Sequence, residues 1–100
     1  MADPMKCIVK IANKANLSET ITRLAMNMMT QIIQRGISAG KNPMSLAATV
    51  LYISSIKVDV NITQLDITSA AGITEVTIRN RVQELKKIRE PNSPLVKTYL

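Results

Sequence analysis

Ile8, Ile11, Ala12 and Ala15 recur at the three- and four-residue spacing that lines up side chains on one face of an α-helix. Asp3 and Pro4 precede them, a cap followed by proline at the first helical position. Behind a Ser18 cap, Ile21, Leu24, Ala25, Met28, Met29, Ile32 and Ile33 follow the same period, and Gly36 and Gly40 end that run in a loop. Asn42 and Pro43 repeat the cap-plus-proline signal. The third segment, roughly 43–57, has a different pattern. Met44, Leu46, Ala47, Ala48, Val50, Leu51, Ile53 and Ile56 leave it apolar nearly all round. A helix of that kind has neighbours on every side, so it is predicted to be the central one. Its alanines let those neighbours approach closely.

A short linker, "VDVN", leads to Thr63. "TQLD" is a capping-box start with Asp66 reaching back in place of the usual Glu, and Ile62 with Ile67 forms a hydrophobic staple around it. This fourth helix, 63–71, stops at Gly72, which suits a left-handed C′ position. Thr74 caps a fifth helix with Ile78, Val82 and Leu85 on its buried face, ended by Pro91. The predicted fold is all-α: one five-helix domain over 1–90 with helix 3 central, then an irregular tail over 91–100.

Helices 4 and 5, joined by Gly72 and Ile73, carry the spacing of a helix-turn-helix. Ile73 can plug the angle between them, and Ile78 can pack back on helix 4. With about 100° of rotation per residue, turning Ile78, Val82 and Leu85 inward points Val76 and Asn80 outward. Thr77 and Arg79 flank these two, and Gln83 and Lys87 continue the outer face. A recognition helix enters the major groove by its N-terminal turns. Val76, Arg79 and Asn80 are therefore the candidates for base edges. Arginine can pair bidentately with guanine, and a small apolar group can touch a thymine methyl. Thr74, Thr77, Lys41 and Arg81 are the candidates for the DNA backbone.

Several of these residues also have a simpler reading. Val76 can be a surface residue, or it can pack on a partner domain. Arg79 and Arg81 can form a solvated charged face, with the Arg81 stem lying along the core edge. Lys41 can be a loop charge, and Glu75 can complement the helix dipole. Met26, Met28 and Met29 read as core filler.

Composition narrows the function classes. The chain of 100 residues carries a net charge of +6, which favours an anionic partner such as nucleic acid. Residues 41–73 are neutral, so the excess lies at the two ends, including the segment after Thr74. With no histidine, structural zinc in its usual forms and His-dependent catalysis are excluded. No acid–base pair or nucleophile is assembled, so the reading is non-enzymatic, with no cofactor and no metal. Cys7 is the only cysteine, which fits a reducing compartment and a buried small hydrophobe. Tyr52 and Tyr99 are the only aromatics, which argues against base-stacking platforms. The run "SLAATVLYISSI" is too short to cross a bilayer, and "MADPMKCIVK" lacks a signal-peptide layout.

"GKNPMSLAATVLYISS" resembles the third-helix motif of the archaeal transcription factor B and eukaryotic transcription factor IIB family. "ITQLDITSAAGITEVTIRNRVQEL" resembles the last two helices of that family's second cyclin-like repeat, and "DPMKCIVKIANKANLS" its first helix and following cap. The resemblance covers nearly the whole chain, and "TEVTIRNR" leans archaeal. It implies a five-helix cyclin-like domain whose helix-turn-helix reads the B-recognition element just upstream of the TATA box. Val76 and Arg79 match the family's main base contacts, and Thr74 and Thr77 match nearby DNA-contacting positions. The implied partners are double-stranded promoter DNA, TATA-binding protein and RNA polymerase. The implied location is the archaeal cytoplasm on the nucleoid, or the nucleus in a eukaryote. The family's zinc ribbon and first repeat have no counterpart here, so the sequence resembles an isolated second repeat. Thr68 stands where the family usually has Ala, and Val82 where an aromatic is common.

Two other classes stay open on the residues alone. One is a cyclin-like protein-binding module whose basic face meets an acidic partner, with no DNA specificity of its own. The other is a gene-specific repressor, which would dimerise on a palindrome. No separate dimerisation element is visible, so a monomer is expected.

Overall fold

The computed structural model describes residues 3–36, 41–58 and 61–86. Gly40, Lys87, the end of helix 5, Pro91 and the 91–100 tail lie outside these residues. Five helices account for the described fold: α1 (Pro4–Lys14), α2 (Glu19–Gln34), α3 (Pro43–Val58), α4 (Gln64–Ala71) and α5 (Glu75–Lys86). No strand occurs among the described residues.

Each helix begins where its own residues satisfy the free N–H groups of a first turn. The Asp3 carboxylate accepts from the Met5 N–H at 2.9 Å. The Ser18 hydroxyl accepts from the Ile21 N–H at 3.3 Å. The Asn42 side chain accepts from the Met44 and Ser45 N–H groups at 2.8 and 3.3 Å. At α4 the capping box is complete in both directions. The Thr63 hydroxyl accepts from the Asp66 N–H at 3.2 Å, and the Asp66 carboxylate accepts from the Thr63 N–H at 3.1 Å. Ile62 packs against the core that holds fully buried Ile67, as the staple requires.

Helix α3 is the axis of the domain, and α1, α2, α4 and α5 all pack on it. Leu46, Ala47, Ala48, Val50, Leu51 and Ile53 are buried on its different sides. So are Ser45, Thr49, Ser54 and Ser55, which polarity alone would place outside. The Thr49, Ser54 and Ser55 hydroxyls donate to the carbonyls of Ser45, Val50 and Leu51 at 2.8, 2.7 and 2.8 Å. A hydroxyl satisfied one turn back carries no desolvation penalty for a missing partner. Ile8, Ile11, Ala12 and Cys7 of α1 and Ile21, Ala25, Met28, Met29 and Ile32 of α2 complete the core on two sides. Met28 and Met29 fill it, and Met26 packs at its edge.

Two apolar residues depart from the expected core. Ile33 is 42% exposed. It lies about 120° round the helix from Ile21, at the edge of the stripe. Ile56, in the last turn of α3, is 56% exposed. The all-round burial of α3 therefore stops before its C-terminal end.

The α4–α5 turn has the geometry its sequence specifies. Gly72 sits at φ 70° and ψ 32°, in the left-handed region. The Thr68 carbonyl accepts from both the Gly72 and Ile73 N–H groups, at 2.8 and 3.1 Å, which closes the end of α4. Thr68 itself is buried, with its hydroxyl on the Leu65 carbonyl at 3.1 Å, so its extra bulk leaves no polar atom unmet. A Cβ at Gly72 would meet nothing within 4 Å. Gly72→Ala therefore tests backbone conformation alone. It is expected to cost about 1–2 kcal/mol, the penalty of a left-handed non-glycine residue, read as a lower urea midpoint with unchanged slope. An unchanged midpoint would mean the turn relaxes to another conformation.

Candidate nucleic-acid interface

Helix α5 rests on α3 and meets α4 at the turn. Ile78 and Leu85 are its buried anchors, Val82 is half-buried, and Ile73 packs against the same core from within the turn. These contacts fix which side of α5 faces outward. Thr74 starts the helix. Its hydroxyl accepts from the Thr77 N–H at 3.3 Å and lies 3.1 Å from the Thr77 hydroxyl. Its carbonyl accepts from the Thr77 and Ile78 N–H groups at 3.1 and 3.4 Å. Thr77 is thereby held half-buried on one flank of the helix.

The outer face carries Val76, Arg79 and Asn80, all exposed. Val76 is 56% exposed, an apolar side chain left in water beside a guanidinium and a carboxamide. Arg79 makes no ion pair among the described residues. Its five donors are therefore available to an external acceptor. Helical rotation sets Arg79 on one side of Val76 and Asn80, and Thr77 and Arg81 on the other.

That second flank has an arrangement the residue spacing only half suggests. Glu84 accepts from two cations at once. Its Oε2 lies 3.0 Å from Lys41 Nζ, and its Oε1 lies 3.1 Å from a terminal nitrogen of Arg81. The Arg81–Glu84 half is an i,i+3 pair on α5, which the chain order makes visible. The Lys41 half depends on α5 lying beside the start of α3. Lys41, Glu84 and Arg81 are all half-buried. The Arg81 Nε–H is buried without an acceptor among the described residues. Of the four candidate backbone contacts, Thr74 and Thr77 form the helix start, while Lys41 and Arg81 share an internal carboxylate.

The model of the transcription factor TFIIB repeat matches residues 1–88. The chain belongs to that family. A TFIIB repeat is an all-α, cyclin-like fold, and the five helices around α3 have that architecture. The family is one of transcription initiation factors and not of enzymes. Curated relatives are archaeal and named transcription initiation factor IIB. That of Pyrodictium occultum is 38% identical over 95% of this chain and 30% of its own length. That of Pyrobaculum arsenaticum is 42% identical over 87% of this chain and 26% of its own length. That of Saccharolobus shibatae is 40% identical over 85% of this chain and 28% of its own length. The chain thus spans under a third of these relatives. Among its described residues, no helix is long and apolar enough to cross a membrane.

Proposed function

We propose that this TFIIB repeat binds promoter DNA through α5 and acts in transcription initiation. The observation that carries the reading is the outer face of α5. Val76, Arg79 and Asn80 stand exposed together on the first turns of the second helix of a helix-turn-helix. That is the part of such a unit that enters a major groove. In this reading Arg79 reads guanine, Val76 meets a thymine methyl, and Asn80 reaches an adjacent base edge. Thr74 and Thr77 contact phosphate at the helix start, where the dipole favours negative charge. Lys41 and Arg81 supply charge on one flank.

The element read is the B-recognition element beside the TATA box, as the second repeat of the family reads it. TATA-binding protein bends the adjacent DNA and tethers the factor, and polymerase is recruited largely through the rest of a full-length factor. The isolated repeat therefore binds weakly, and the complete assembly gains from several linked contacts.

The test is an NMR titration of the labelled domain with a promoter duplex, with and without TATA-binding protein. Salt-dependent shifts clustered on Thr74–Asn80, strengthened by TATA-binding protein, are expected. Absence of any DNA effect, with shifts elsewhere on adding a protein partner, would support the protein-binding alternative. The apolar groove lined by Met5, Val9 and Met26 is where that alternative would look for its contact.

A further inference from the structure

We infer that Glu84 is an internal competitor for DNA phosphate, which limits how strongly this face holds any duplex regardless of sequence. The inference rests on the DNA-binding reading of α5 and concerns a residue that reads no base. Three observations carry it. Glu84 lies one helical turn beyond Asn80, on the flank of α5 that also bears Thr77 and Arg81. Its two oxygens are divided between Lys41 at 3.0 Å and Arg81 at 3.1 Å, as two phosphate oxygens could be. The side chains of Lys41, Glu84 and Arg81 keep 33%, 38% and 24% of their surface in solvent. They are sheltered enough to hold their geometry and open enough to exchange partners.

The charge balance gives the consequence. Two cations and one carboxylate present +1 to an approaching backbone in place of +2. Each phosphate contact made by a lysine or arginine releases condensed counterions, and this release dominates affinity that ignores sequence. While Glu84 holds both cations, those contacts are either not made or made at the expense of the internal pairs. Arg81 is incompletely served in its resting position, because its Nε–H is buried without an acceptor among the described residues. An unmet buried donor weakens the hold of that resting position. Arg79, which makes no ion pair among the described residues, lies on the far side of Val76 and Asn80. Among the described residues, Arg79 is thus an open cation beside the base-reading residues, while Lys41 and Arg81 are restrained.

Glu84→Gln keeps the shape and removes the charge. The probes are a promoter duplex carrying the TATA box with its upstream element, and the same duplex with the upstream element scrambled. Each is titrated at several salt concentrations. Glu84→Gln is expected to bind both roughly 3- to 10-fold more tightly, with a salt slope steeper by about one to two units. The preference for the matched duplex should stay nearly constant. Adding Lys41→Gln to Glu84→Gln should return part of the slope. Weaker binding of both duplexes by Glu84→Gln would overturn the inference, because Glu84 would then be presenting the two cations to phosphate. Unchanged binding with a lowered urea midpoint would also overturn it, leaving a structural clasp alone. If the wild-type domain showed no salt-dependent binding to either duplex, the DNA-binding reading would fall first, and this inference with it.

Discussion

Arg79→Ala should lower the preference for the matched element over a scrambled one by about 1–3 kcal/mol, or roughly 5- to 150-fold. Arg79 is exposed and makes no ion pair among the described residues. Truncating it strands no buried charge, so the urea midpoint should stay within about 0.5 kcal/mol of wild type. The effect on DNA is then free of a folding contribution. Arg79→Lys adds a finer test. It keeps the charge but loses the planar fork that pairs with both acceptors of guanine. It should therefore retain much of the binding to scrambled DNA while losing most of the preference. Equal losses on matched and scrambled duplexes for Arg79→Ala would make this residue a phosphate contact, and base reading would pass to Val76 and Asn80.

Ile78→Ala should cost about 2–5 kcal/mol of stability, the range for emptying a large buried aliphatic site. A domain of this size has about 5–15 kcal/mol in total, so the variant gives up a large part of it. Ile78 is fully buried and stands one turn into α5, opposite the exposed Val76, Arg79 and Asn80 proposed to read DNA. Leu85 is the other buried anchor, towards the far end of the described helix. Loss of Ile78 therefore frees the end of α5 that must hold Val76, Arg79 and Asn80 in place. Hydrogen exchange should show the amides of α5 losing protection ahead of those of α3, and DNA binding should weaken on matched and scrambled duplexes alike. Ile78→Val, which removes a single methylene, should cost only about 0.5–1.5 kcal/mol. A loss below 1 kcal/mol for Ile78→Ala would show that the site closes up, with α5 held by its other contacts.

Most of the architecture was legible because it is written locally. Asp3, Ser18, Asn42, Thr63 and Thr74 each cap a helix through bonds to residues two or three positions on, which chain order exposes directly. The left-handed turn followed from glycine at 72, and the central place of α3 from its lack of a polar face. Burial of Thr49, Ser54 and Ser55 was not legible from polarity, because their partners are backbone carbonyls one turn back. Ile33 was misplaced because it sits at the margin of its stripe, where neighbouring elements decide exposure. The outward face of α5 followed from rotation about Ile78. Glu84 was missed there because half of its role depends on Lys41, which arrives from the start of another helix.

The hydroxyls of α3 have a consequence for how such a domain can diversify. Thr49, Ser54 and Ser55 are satisfied within their own helix. At those positions the surrounding helices need only complement a shape and supply no bonding partner. Residues that α5 shows to water can then be exchanged without any compensating change at the centre. A scaffold with that property can be copied within a longer chain and each copy given a different partner.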